Sequence, residues 1–268
     1  MKIKKIFFVL VLFISIGGLI ISIVNIIRLT KDSNKTITQI EEINNVVDVL
    51  EKEDNENVEI IEQVEKPKKN IYWDYIKLNM INVDFSELKK INNNVKGWIQ
   101  VKGTNVNYPF VQADNNDFYI NHSFDKTYNE AGWIFVDYRN KLDGTDKHII
   151  IYGHALLNKA MFGSLKLITE NGWLKQEENF IIKMSSEKEN TLWQVFSVYH
   201  IPTTSDYLQT NFIDNDDFMN FIELIKERSV YDFETSVSEN DKILTLSTCY
   251  NKKERTVIHA KLIKKETR

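Results

Sequence analysis

The sequence predicts a mainly β fold of eight strands, a barrel or a sandwich with helical interruptions, behind an N-terminal apolar helix. Three observations predict it. Short runs of β-branched and aromatic residues, separated by turn residues, follow one another from Trp98 to Ile263. Two segments of helical character interrupt them, the longer at residues 214–229. Residues 6–27, IFFVLVLFISIGGLIISIVNII, carry no charge and are long enough to cross a bilayer, which takes ~20 apolar residues.

That first segment reads as a retained anchor. No small-x-small cleavage site follows it, and it exceeds the ~7–15 residues of a signal-peptide core. Lys2, Lys4 and Lys5 precede it, with Arg28 and Lys31 just after, a modest bias towards an inner N-terminus and an outer C-terminal part. An acidic, Asn-rich stretch follows from Asp32 to Asn70. Ile40, Ile43, Val47 and Leu50 fall at helical spacing there, enough for one short amphipathic stalk helix, and a flexible tether ending at Pro67 is expected after it.

From Ile71 the texture becomes aromatic and β-branched. A helix is predicted over Asp84 to Asn92, with Asp84 or Ser86 as its N-cap. Strands are predicted at Trp98–Val101, Val106–Val111, Trp133–Val136, His148–Tyr152, Phe180–Met184, Leu192–Ile201, Ile243–Thr248 and Thr256–Ile263. FGSLKLIT, residues 162–169, reads as one or two helical turns. In DNDDFMNFIELIKERS, residues 214–229, acidic residues come first and Lys226 and Arg228 last, as the helix dipole favours, and Phe218, Phe221, Ile222 and Ile225 share a face. No internal repeat is present.

A formal net charge of −4 without a clustered basic face argues against a nucleic-acid partner. The chain has a single cysteine, so no internal disulfide can form. An unpaired thiol outside the cytoplasm is a liability unless it has a use. Cys249 ends one alternating run of KILTLSTCYNKKERTVIHAKLIKK (242–265) and Arg255 begins the next, so a hairpin across Tyr250 to Glu254 brings thiol and guanidinium together. A further apolar run, KHIIIY, stops at Gly153 and His154, which puts an imidazole where a buried strand reaches the surface. Cysteine, histidine and arginine at strand ends suggest covalent acyl transfer, against the plain alternative of a buried, inert cysteine and a structural histidine.

These residues resemble the class B sortases, membrane-anchored cysteine transpeptidases of Gram-positive bacteria. The resemblance runs from about Trp73 to Lys264 and rests on TLSTC with the following Arg255, on YGH at 152–154, and on NYPFVQADNNDFYINHSFDKTYNEAGWIFVDYRN at 107–140. It implies an eight-stranded sortase β-barrel with an N-terminal helical extension and a long helix between strands six and seven. The chain then divides into a cytoplasmic tail (1–5), a transmembrane anchor (6–27), an acidic stalk or linker (28–70) and a catalytic domain (71–268) outside the membrane.

By the same resemblance, Cys249 is the nucleophile, His154 the general acid and base, and Arg255 the group that orients substrate and stabilises the oxyanion. The loop after the cysteine is short for the family. The reaction implied is cleavage of a Pro-x-Thr type motif near the C-terminus of a secreted surface protein, with transfer through a thioester to an amine of the peptidoglycan cross-bridge or its lipid-linked precursor. The alternatives are a cysteine protease acting on the same motif and an idle peptide-binding module.

The residues support the chemistry independently. An ordinary Cys, with pKa near ~8.5, is mostly thiol at neutral pH and needs a neighbouring base or cation. His154 can take its proton and return one to the departing amine. Arg255 keeps its charge, so its task is electrostatic. Ser247 and Thr248 are candidate substrate contacts; alternation puts Ser247 on the strand face of Cys249. No carboxylate flanks Cys249, Glu254 reads as a solvated turn charge, and no group that orients His154 can be named. His259 reads as structural, while His122 and His200 lack partners at metal-ligand spacing. The ADNND run at Asp114–Asp117 lacks the Gly and Glu of a calcium loop and reads as turn and helix-start chemistry. No metal or other cofactor is called for.

Overall fold

The computed structural model describes residues 2–61, 71–249 and 253–268. Helix α1 (Lys2–Val46) is followed by strands β1 (Val49–Lys52) and β2 (Val58–Ile60), then α2 (Ile71–Tyr75), β3 (Met80–Val83) and α3 (Ser86–Ile91). The next strands are β4 (Val95–Val101), β5 (Asn107–Val111), β6 (Phe135–Val136) and β7 (His148–Gly153). After α4 (Asn171–Leu174) come β8 (Ile181–Ser186), β9 (Glu189–Pro202), α5 (Asn215–Glu227), β10 (Ile243–Cys249) and β11 (Glu254–Thr267).

Strands β4 to β11 are the eight that the alternation predicts. They are hydrogen-bonded in the order β10-β7-β6-β5-β4-β8-β9-β11, and a β10–β11 pairing closes the ring. A closed barrel leaves no unpaired edge, which settles barrel against sandwich. Inward alternation fills it with Ile99, Phe110, Ile182 and Trp193, and Trp133 and Phe162 from the connecting segments join the same buried core. The short strand β6 holds its place by single-residue pairing of Val111 with Phe135 and by Phe135–Tyr152 and Val136–Ile151.

Helix α5 lies between the sixth and seventh barrel strands. Asp214 caps it by accepting from the Asp217 N–H, and Phe218, Phe221, Ile222 and Ile225 are all buried. They pack on Phe196, Tyr199, Ile243 and Val257 of the barrel's outer wall. Burial of each such side chain contributes about 1.5–3 kcal/mol, ample to hold an inserted helix in place. The predicted turn at 162–169 is a 3-10 segment, Gly163–Leu167. Helix α3 begins at Ser86, and Asp84 accepts from the Ser86 N–H without capping deeper in the helix.

Residues 28–61 differ from the short stalk helix and flexible tether expected of them. The apolar run and the stalk form one helix, α1, which ends at Val46, with Ile43 buried in it and Val47 buried just after it. Strand β1 pairs with β3 and β2 pairs with β11. The acidic residues that suggested a solvated tether are partners of lysines on the barrel: Glu51 with Lys183, Asp54 with the fully buried Lys264, and Glu59 with Lys265. Lys264 also donates to the Ile76 and Leu78 carbonyls, so its charge is satisfied on every side. The partners lie so far apart in sequence that no local pattern announces them. Pro67 and residues 250–252 of the hairpin loop lie outside the described residues. Among the described residues, α1 alone is long and apolar enough to cross a membrane.

Candidate active site

Three adjacent strands bring the predicted residues to one rim of the barrel. β10 pairs antiparallel with β11, which sets Cys249 opposite Arg255. β10 also runs parallel to β7, with Ser247 beside Tyr152 and Thr248 beside Gly153. Both strands end there, so His154 leaves β7 one step beyond the Gly153–Thr248 pair, at the level of Cys249. Neighbouring strands are ~4.8 Å apart, which makes this register a juxtaposition of functional groups. Arg255 is paired on its other side with Ile201 of β9.

A cleft of about 450 Å³ opens at this rim. His154, Arg255, Ser247 and Thr248 line it, with Tyr152 and Phe135 on the wall and the loops at 116–120 and 203–208 as its banks. Ser247 is buried and shares a hydrogen bond of 3.0 Å with the Tyr207 hydroxyl. Thr248 is 2 % exposed, and its hydroxyl has no hydrogen-bond partner among the described residues.

A main-chain carbonyl helps to hold His154. His154 Nε2 lies 2.7 Å from the Ile120 oxygen. A carbonyl only accepts, so Nε2 carries the proton, and in the neutral ring Nδ1 is the basic nitrogen. Gly132 lets this contact form. It has φ +60°, and a Cβ there would meet the Ile120 and Tyr119 oxygens at 2.6 Å and His154 Cδ2 at 2.9 Å. The residue carries no side chain because the backbone must pass that close to the imidazole.

Sequence reasoning missed Asp137, the hub of the neighbouring wall. It is fully buried and accepts from Arg139 Nε and Nη2, Asn116 Nδ2 and the Tyr152 hydroxyl, each at 2.8–2.9 Å. Burial pushes its carboxyl up, but the hydrogen bonds from Arg139, Asn116 and Tyr152 outweigh this and hold it below the usual range. Burial and the nearby Asp137 charge push the Tyr152 phenol up, so it remains a neutral donor. Asn116 and Tyr152 both line the cleft, so Asp137 fixes its shape from behind. The DYRN run gave a weak signal of an Asp–Arg pair at a strand end.

The remaining histidines are structural. His259 is fully buried, with Thr245 Oγ1 2.7 Å from Nδ1 and the Tyr199 hydroxyl 2.8 Å from Nε2. His148 Nδ1 donates to the Gln209 carbonyl at 2.6 Å, and its Nε2 lies 2.6 Å from Thr245 Oγ1. One proton order satisfies the whole chain: Thr245 donates to His148, His259 donates to Thr245, and Tyr199 donates to His259. His122 stacks on Phe118, and His200 bonds Thr169 and Thr256. Within ADNND, Asn115 accepts from the Asp117 and Phe118 N–H groups at the start of the 3-10 turn Phe118–Ile120, as helix-start chemistry requires.

Comparison with known proteins identifies the family of the fold. Residues 99–263 match the sortase domain family. Sortase B of Listeria monocytogenes is 34% identical over 186 residues, 68% of this chain and 75% of its own length. Sortase B of Staphylococcus aureus is 35% identical over 191 residues, 69% of this chain and 76% of its own. Among solved structures, sortase B from B. anthracis in complex with AAEK1 superposes with a TM-score of 0.71 at 29% identity, over 88% of this chain and 100% of that one. The Staphylococcus aureus sortase B–substrate complex gives 0.63 at 34% identity, over 67% and 84%. With its closed eight-stranded barrel and its cysteine, histidine and arginine at one rim, this chain belongs to the sortase family, as a cysteine transpeptidase of the sortase B type.

Proposed function

We propose that the protein cleaves a Pro-x-Thr type sorting motif after its threonine and joins the acyl group to a cell-wall amine, with Cys249, His154 and Arg255 as the working groups. The observation that carries this is the register: Cys249 faces Arg255 across the β10–β11 pair, while β7 delivers His154 beside the same strand end. The Cys249 thiolate attacks the threonine carbonyl carbon, and Arg255 stabilises the oxyanion that forms. The C–N bond to the next residue then breaks, the departing amine takes a proton from His154, and a thioester remains. An incoming amine attacks the thioester, gives its proton to His154 and releases the thiolate.

The cleft supports this reading beyond the three groups. The Thr248 hydroxyl, unpartnered among the described residues, and the Tyr207-bound Ser247 line it, where an extended peptide would need hydrogen-bond partners. The apolar half of α1 anchors the enzyme with its N-terminus inside and the barrel outside, facing secreted surface proteins and the peptidoglycan cross-bridge or its lipid-linked precursor.

Mass spectrometry of the protein incubated with Pro-x-Thr peptides, with and without triglycine, tests the proposal. An adduct on Cys249 that passes to triglycine, and is absent in Cys249→Ala of unchanged melting temperature, is the expected result. Free acid alone, whatever the amine concentration, would make it a protease. No adduct with any peptide would make it a binding module.

A further inference from the structure

Helix α1 does not merely end near the barrel. Beyond the apolar run, Asp32, Thr36, Gln39 and Ile43 form one face at helical spacing, and Thr36, Gln39 and Ile43 are buried. The upper part of this face is polar and engages the loop that follows Ile120. Asp32 Oδ2 accepts from the Glu130 N–H at 3.1 Å, Thr36 Oγ1 from Asn129 Nδ2 at 3.0 Å, and Gln39 Oε1 from the Phe124 N–H at 3.1 Å. Arg28 pairs with Glu130 at 3.2 Å.

That loop is the support of the histidine. Asn129 and Ser123 are fully buried and bonded to each other, and the Asn129 N–H donates to the Asn121 carbonyl. The Gly132 N–H donates to the Asn129 carbonyl, and the Trp133 N–H to that of Tyr119. Ile120, held between these bonds, presents its carbonyl to His154 Nε2. The helix also touches the segment on the other side of His154, where Asn158 Nδ2 donates to Ser33 Oγ at 2.7 Å.

We propose that the juxtamembrane turns of α1, through Asp32, Thr36 and Gln39, position His154 and so make the anchor helix a working part of the active site. The inference rests on the reading of His154 as partner of Cys249. Without the helix, the buried Phe124 N–H loses its acceptor, the buried Asn129 amide keeps Ser123 Oγ but loses Thr36, and the part-buried Glu130 N–H loses Asp32; buried donors without acceptors drive local rearrangement. The barrel core does not depend on these bonds, so the disturbance falls on the loop and on the ring it holds.

The lone cysteine allows a test that needs no substrate. The full chain in detergent micelles is alkylated with iodoacetamide across pH 5 to 10, and the rate reports the Cys249 thiolate. His154→Ala should move the profile by more than one pH unit. Thr36→Ala/Gln39→Ala should move it at least halfway towards that of His154→Ala, whereas Thr36→Ser, which keeps the hydroxyl, should follow the wild type. If the double variant fails to fold, Gln39→Ala alone is held to the same direction of shift. A wild-type profile in the helix variant, with His154→Ala shifted, overturns the positioning role even if the melting temperature has fallen. A wild-type profile in His154→Ala refutes the pairing itself, and the inference falls with it.

Discussion

Gly132→Ala places a methyl group where the structure has no room for one. The new Cβ would lie 2.6 Å from the Ile120 and Tyr119 oxygens and 2.9 Å from His154 Cδ2. Favourable contacts between heavy atoms begin near ~3.5 Å, so the backbone must give by roughly 0.6–0.9 Å. Two of the three obstacles are main-chain carbonyls that cannot swing aside. Holding alanine at φ +60° adds about 1–2 kcal/mol, which lowers the melting temperature by a few degrees in a domain of this size. The cost to function is larger. Ile120 presents the carbonyl that orients His154, and a misplacement of ~1 Å in a catalytic group costs up to ~100-fold in rate. Single-turnover acylation of Cys249 by a Pro-x-Thr peptide should slow by about 10- to 100-fold, with the KM for peptide within about twofold, because the cleft walls at Tyr152 and Ser247 are untouched. Acylation within about twofold of wild type, with the melting temperature lowered as expected, would refute the role of that carbonyl.

Two further outcomes are expected. Arg255→Lys keeps the charge and loses the planar fork, so turnover should fall markedly with little change in stability; near-normal turnover would remove Arg255 from the site. Burial pushes His148 down to about 4 from an ordinary 6.5, and His259 is pushed well down in the same direction. Between those two values the unfolded chain takes up a proton that the folded one refuses. Stability therefore falls as pH drops from 6.5 towards 4, by up to about 3 kcal/mol for His148. Thermal unfolding of the full chain in detergent from pH 7.5 to 4.5 should show this decline, and a flat profile would contradict the neutral Thr245-bridged pair.

Most of the fold was legible because its signals are local. Runs of four to ten β-branched and aromatic residues mark the barrel strands, and the acid-first, base-last order of residues 214–229 marks α5. The edges were less legible. β1, β2 and β3 are only three or four residues long, and their partners sit far along the chain, so hydrophilic residues such as Glu51 and Asp54 looked like a tether until Lys183 and Lys264 met them. The site divides in the same way. Cys249, His154 and Arg255 stand at strand ends that periodicity alone locates. Asp137 and the Tyr207–Ser247 bond need a third dimension, since each joins elements that no spacing rule connects.

By itself, then, the sequence determined the eight strands, the membrane-length apolar helix and the three residue types at the rim, because each is written in the period and polarity of neighbouring residues. Only the tertiary structure decided that the sheet closes into a ring, that the Ile120 carbonyl holds His154, and that α1 continues onto the barrel. Those three outcomes depend on main-chain groups and distant partners. A backbone carbonyl is the same at every position of a sequence, and only the folded path of the chain gives one of them, at Ile120, an imidazole to hold.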